Sequence, residues 1–230
     1  MKKFFALTLL VASLNVRAQD TWVYTDSVFT YKVSIDTTLY YDSSYYRYEA
    51  TAIGIFTSDG KEFQHIPVKP DSDFSSFEKE YIFKIADANF DGHNDIGLQI
   101  WYSTRMDREF QFWFYDAASG SFKMDTTLND IMNPVFNATK KLVCHYYHSG
   151  GMAGGYSKYI WENNKLVLID DLNFDYGWAV KYKKNWLLLR PRDVYEQQGI
   201  ITHTWLENGE MKEEYSETDE VGIDGPCKCE

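Results

Sequence analysis

The feature that most constrains this chain is a period of two. Val28 to Ile35 (Val-Phe-Thr-Tyr-Lys-Val-Ser-Ile) and Tyr45 to Phe56 alternate, and both are rich in β-branched and aromatic residues. Successive side chains of an extended strand point to opposite faces, so alternation sets one face against a core and the other against water. Glu109 to Asp116, Leu142 to Tyr147, Tyr156 to Trp161, Leu166 to Ile169, Trp186 to Leu189 and Ile200 to Leu206 read as further strands. Turn signals separate them: Ser58-Asp59-Gly60-Lys61, Ala118-Ser119-Gly120-Ser121, Asn163-Asn164-Lys165 and Asn208-Gly209. Strands at spacings of about 8–12 residues predict an all-β protein, an antiparallel β-sandwich or barrel. At most one short helix is expected, over Thr126 to Met132, with Asp125 or Thr126 as its cap. The aromatic share of 17% suits strand packing, a sugar-contacting face being the other use.

One loop carries recognisable chemistry. Asp87-Ala88-Asn89-Phe90-Asp91-Gly92-His93-Asn94-Asp95 spaces oxygen side chains at loop positions 1, 3, 5 and 9, with glycine at position 6. A hard cation such as Ca²⁺ takes six to eight oxygen ligands at roughly 2.3–2.6 Å, and this alternation turns one side chain in two toward a common centre. Asp87, Asn89, Asp91 and Asp95 would supply side-chain oxygens, and His93 its backbone carbonyl. Gly92 would take the sharp bend. An EF-hand's glutamate at position 12 is replaced by Leu98, and the apolar run Ile96 to Trp101 follows, so the loop enters a strand. The same residues would also make an Asx-rich turn that binds nothing.

The N-terminus predicts export. Met1-Lys2-Lys3 is a short basic start, Phe4 to Val16 is mostly apolar, and Val16-Arg17-Ala18 precedes Gln19 as a small-residue cleavage pattern. That is a signal peptide over residues 1–18; its apolar part is shorter than the ~20 residues of a membrane-spanning helix. No cysteine follows the cut, so a lipid anchor is not expected, and no later segment would span a bilayer. The expected location is periplasmic or secreted. Residues 19–230 read as one β domain, with two small ones as the alternative, since no Pro/Gly/Ser-rich linker divides them. Without the leader, 20 basic residues face 34 acidic ones, a formal charge of −14. Such a surface repels nucleic acid and anionic lipid and attracts basic partners at long range. Solubility alone would also account for it.

The three cysteines leave pairing open. Cys144 sits in a strand-like run, and Cys227 and Cys229 lie in the tail, where either would tie the C-terminus to Cys144. A Cys227–Cys229 bridge would be strained, and no second Cys or His pair stands at zinc-ligand spacing. Catalysis is not expected. Carboxylates are plentiful (Asp107, Glu109, Asp170, Asp171, Asp175), but a glycosidase needs two that face each other, and most of these read as turn or rim residues. None of the five histidines sits in a nucleophile or metal motif, and no Gly-x-Ser-x-Gly elbow, phosphate loop or dinucleotide fingerprint occurs.

Across residues 81–169 the order is a calcium loop, an apolar strand, the aromatic strand Phe112-Trp113-Phe114-Tyr115-Asp116 and the link Leu128-Asn129-Asp130. Asn133-Pro134-Val135-Phe136, Thr139 to Leu142, a glycine loop and Tyr159 to Leu168 follow. This order resembles a family of exported bacterial β proteins that carry one integrin-type (FG-GAP/VCBS-like) calcium loop. Some members are similar to periplasmic inhibitors of lysozyme and related peptidoglycan hydrolases. The resemblance implies a compact β-sandwich or barrel of about eight strands. It also implies a surface loop inserted in the glycan cleft of a target enzyme. Lysozyme inhibitors often use a Ser-Gly element with a nearby tyrosine. The matching stretch here is His148 to Tyr156, with Ser149, Gly150, Gly151 and Tyr156 as the partner-binding residues, although the spacing from Ser149 to Tyr156 is longer. A hairpin connection between core strands is the plainer use of that stretch. Residues 171–230 form a C-terminal extension without a counterpart in the resemblance.

Two other readings follow from the residues. Tyr40, Tyr41, Tyr45, Tyr46 and Tyr48, with tryptophans, would make the platform of a calcium-stabilised carbohydrate- or peptidoglycan-binding module. A β-propeller would need repeats of the calcium loop, and Asp171 to Gly177 is only a partial echo, so a propeller is rejected.

Overall fold

The structure, a computed structural model, describes residues 18–39, 46–68, 73–74, 79–102, 107–148, 153–177, 179–182, 185–188 and 198–218. The chain divides into two compact units: one holds the strands before residue 76, the other everything from residue 76 onward together with Asp26–Val28.

The first unit is an antiparallel sheet in sequence order: β1 (Ala18–Thr25), β2 (Phe29–Leu39), β3 (Tyr46–Thr57) and β4 (Glu62–Pro67), with β5 (Asp73–Phe74) paired to β3. Its register explains the alternation in the sequence. Tyr31 lies opposite Ile55 and Val33 opposite Ile53, and all four are fully buried. Directly opposed side chains on one face pack against each other, the basic stabilising unit of a sheet.

The second unit opens with a four-residue helix, α1 (Lys79–Ile82). An antiparallel four-stranded sheet follows: β6 (Phe83–Ala86), β7 (Asp95–Tyr102), β8 (Arg108–Asp116) and β9 (Ser121–Asp125). Next come β10 (Val135–Asn137), β11 (Leu142–His148), β12 (Ala153–Glu162), β13 (Lys165–Gly177), β14 (Ala179–Tyr182), β15 (Asn185–Leu188), β16 (Gln198–Glu207) and β17 (Glu210–Thr218). Six of them form a sheet in the order β10-β11-β12-β13-β16-β17, while β14 and β15 pair with each other. The two larger sheets share one core. Phe110 and Phe112 of β8 meet Val143 of β11, with Ala88, Leu128 and Ile131, and Phe114, Phe136, Tyr159, Trp161 and Leu166 pack around them. Asn133 joins the same two sheets: its side-chain oxygen accepts the Arg108 N–H at 3.1 Å, and its amide donates to the Tyr146 carbonyl at 3.3 Å.

The all-β, antiparallel expectation holds, and this second unit is a sandwich. Seventeen strands form among the described residues rather than about eight, and every sheet there is open rather than closed into a barrel. The helix expected over Thr126 to Met132 is a pair of tight turns, with Asn129 N–H donating to Thr126 and Ile131 N–H to Leu128. Asp125 caps them, accepting the Thr127 N–H and hydroxyl, each at 2.9 Å. Those local bonds satisfy the chain in three-residue steps, and Leu128 and Ile131 drop into the core, so no helical ladder starts. The extension after residue 171 is integral: Asp171 to Gly177 continues β13, and β16 and β17 widen the same sheet.

Of the signal peptide expected over residues 1–18, residues 1–17 lie outside the described residues, as do Tyr40, Tyr41, Tyr45, Cys227 and Cys229. Cys144 is buried and disulfide-bonded. No helix among the described residues is long and apolar enough to cross a membrane.

Candidate metal centre

The loop from Asp87 to Asn94 joins β6 to β7, and its two faces are sorted by alternation. Ala88 is fully buried in the shared core and Phe90 packs against that core, so Asp87, Asn89 and Asp91 are turned the other way. Phe90 takes φ +60° and Gly92 φ +93°, the left-handed region where a β-carbon is costly. With these bends the loop closes on its own oxygens. Asp87 accepts the N–H groups of Asp91 at 3.0 Å and Gly92 at 2.9 Å, Asn89 accepts that of Asp91 at 3.0 Å, and Asp91 accepts that of His93 at 2.9 Å. The Asn89 amide also donates to Asp91 at 3.0 Å. The His93 ring rests on Tyr115, 5.4 Å between centroids.

Asp95 is different in kind. It is fully buried at the start of β7, and its two oxygens accept the N–H of Ala88 at 2.9 Å and of Tyr115 at 2.8 Å. Burial pushes its carboxyl up to about 7; the two amide bonds pull the other way, and the nearby Asp91 and Asp87 push it further up. Among the described residues no Lys, Arg or His pairs with Asp87, Asp91 or Asp95. Three acidic groups are thus gathered with one of them buried and no cation to balance them, and like charges brought together disfavour ionisation. That donor set, three carboxylates and an amide oxygen, fits a hard cation. Each carboxylate oxygen has a second lone pair, so the backbone bonds orient the ligands and leave acceptor capacity for an ion. Among the described residues no group of three or more His, Cys, Asp or Glu side chains is already placed to hold a metal ion.

The predicted partner loop is only partly visible. The β11–β12 ladder ends at His148 opposite Gly154, so Ser149, Gly150 and Gly151 belong to the connection and lie outside the described residues. Tyr156 is half-buried in β12, opposite Tyr146, with the Lys158 ammonium 5.1 Å from its ring centroid. It lies on the sheet face opposite Tyr159, which packs on the core. Gly155 is required by close approach: a β-carbon there would stand 2.4 Å from the Leu172 carbonyl oxygen.

Sequence reasoning passed over a polar row at this end of the sheet. His145, Ser157 and Asp171 are cross-strand neighbours on β11, β12 and β13. The Ser157 hydroxyl donates to Asp171 at 2.5 Å, and Asn173 donates to the other Asp171 oxygen at 2.5 Å while accepting the Tyr147 hydroxyl. His145 Nε2 is buried without a hydrogen-bond partner among the described residues, and burial holds that imidazole below its ordinary range. A hydrolytic triad needs serine bonded to histidine; here the serine is bonded to the carboxylate. Residue types and spacing in one strand carry no signal for this row, because it exists only across three strands.

No family model and no curated protein matches this chain. Among solved structures it is similar to one described as a Xanthomonas type IV secretion system related protein. The two align with 18% identity over 86% of this chain and 97% of the other, at a TM-score of 0.53. Likeness at that identity establishes a shared fold.

Proposed function

We propose that this is an exported, calcium-binding, non-enzymatic protein that inhibits a lysozyme-like peptidoglycan hydrolase. The connection between β11 and β12 enters the enzyme's cleft, with Ser149, Gly150 and Gly151 as its backbone-exposing element and Tyr156 beside it. The observation that carries this reading is the ladder from Leu142–Ile160 to His148–Gly154, which supports that connection from two hydrogen-bonded strands. A rigid base reduces the ordering cost of inserting a short loop. The acidic surface steers toward basic enzymes, and the secretion-system description of the structural neighbour accords with export. Calcium does no chemistry in this reading. It pins the entrance of β7, with Asp87, Asn89, Asp91, Asp95 and the His93 carbonyl as its ligands.

A second reading, a calcium-stabilised glycan-binding module, draws on the face that carries Tyr146, Tyr156 and His203, where His203 stacks on Trp205 at 4.8 Å. Aromatic faces of this kind suit sugar rings. Turbidity clearing of peptidoglycan by a panel of lysozymes and lytic transglycosylases separates the two. Inhibition of one enzyme class, lost on joint Ser149→Ala and Tyr156→Ala substitution, is expected. If no class is inhibited and the protein is retained on insoluble peptidoglycan, the inhibitor reading falls and the glycan module stands.

A further inference from the structure

Four segments separated in sequence converge on one cleft in the second unit. It has a volume of about 260 Å³ and is lined by Asn89, Asp91, Phe114, Asp125, Trp161 and Asn164. Pockets for drug-sized molecules run from roughly 300 to 1,000 Å³, so this one suits a single large side chain or one sugar ring.

Its walls are held in place. The Trp161 indole N–H donates to the Ala88 carbonyl at 2.9 Å, which fixes the plane of the ring. Phe114 meets it edge-on, with centroids 5.8 Å apart and planes at 75°. Both oxygens of Asp125 are anchored by Thr127, and those of Asp91 by His93 and Asn89. Asn164, at φ +60° in the turn between β12 and β13, presents an amide that no other described residue engages. Among the described residues no Lys, Arg or His lines the cleft. Two carboxylates beside two aromatic rings, with no positive group among them, select for a cation over a neutral polyol. A flat guanidinium satisfies both features at once, stacking on an indole while donating to a carboxylate.

We propose that this cleft receives the guanidinium of an arginine presented by a basic protein partner, stacked on Trp161 and charge-paired with Asp125. Asp125 lies outside the metal loop, so the pairing persists when calcium takes up the charge of Asp91. The overall acidity of the chain brings such a partner to the surface, and the cleft then fixes one of its side chains. The partner's identity rests on the inhibitor reading above; the chemistry of the cleft does not.

The test uses the calcium-loaded protein and a small probe, so its failure is separate from any failure to inhibit a hydrolase. Acetyl-arginine-amide is titrated against ¹H–¹⁵N correlation spectra, with N-acetylglucosamine as the neutral control. Saturable shifts of the Trp161 indole and Asn164 side-chain signals are expected, with a dissociation constant of about a millimolar. Asp125→Asn, which keeps an acceptor for Thr127, should weaken binding about fivefold, as loss of roughly 1 kcal/mol would. Asn164→Gly, compatible with positive φ, serves as a second variant and should also weaken it. The assignment is overturned if arginine amide leaves both signals unmoved, or if N-acetylglucosamine moves them at least as strongly, which would make the cleft a glycan site.

Discussion

The buried carboxylate of Asp95 accepts the backbone N–H of Tyr115 at 2.8 Å, tying the end of the Asp-rich loop that starts at Asp87 to a strand that begins thirteen residues later. Its other oxygen holds Ala88 at the start of the same loop. Replacing Asp95 with Ala leaves two N–H groups without their acceptor, each costing about 1–3 kcal/mol when buried. Asp95→Ala should therefore lose several kcal/mol in urea unfolding, and Asp95→Asn, which retains one acceptor oxygen, clearly less. Equal losses in the two variants would show that the amide bonds are not what Asp95 contributes.

Calcium should act on stability first. An ion at one hundred times its dissociation constant stabilises a native site by about 2.7 kcal/mol, and here it would also relieve the repulsion among Asp87, Asp91 and Asp95. Thermal unfolding is expected to shift upward with calcium and back with chelator. A variant carrying Asp87→Ala and Asp91→Ala should show no calcium response. An identical response in that variant would move the ion elsewhere.

Lys84 sets a dependence on alkaline pH. Its ammonium donates to the Pro134 carbonyl at 3.1 Å and lies 4.8 Å from the Phe110 ring centroid. Burial, with Arg108 nearby, brings its pKa down from 10.5 to about 8. Between those values the unfolded chain binds the proton and the native one does not, so stability rises as pH increases through that window and is lost as it falls again. Lys84→Met should flatten this contribution in unfolding measurements from pH 8 to 10. A slope unchanged by the substitution would count against it.

Gln99 offers a stabilising substitution. It is fully buried in β7, and among the described residues neither its amide nitrogen nor its oxygen has a hydrogen-bond partner. An unsatisfied buried polar group costs about 1–3 kcal/mol, so Gln99→Leu should raise the denaturation midpoint. A lowered midpoint would mean that the amide is satisfied by water in solution.

Much of this protein was determined by local sequence. Period two in Val28 to Ile35 dictated β2, because alternate side chains of a strand share a face whatever lies opposite. The order of Asp87, Asn89 and Asp91 against Ala88 and Phe90 likewise sorted oxygen from apolar groups, and Gly92 and the Asn-rich hairpins took the positive φ their positions called for. Tertiary structure decided the rest. Asp95 reads in sequence as one ligand among several and becomes a clamp only because β8 passes within reach of its second oxygen. Thr126 to Met132 reads as a helix and becomes turns because Leu128 and Ile131 are drawn into a core built by distant strands. Likewise the cleft between Asp125, Trp161 and Asn164 exists only once the two sheets are stacked. Neighbouring residues determine backbone preference and the sorting of faces. Which faces meet depends on burial summed over the whole chain, and no short stretch of sequence contains that sum.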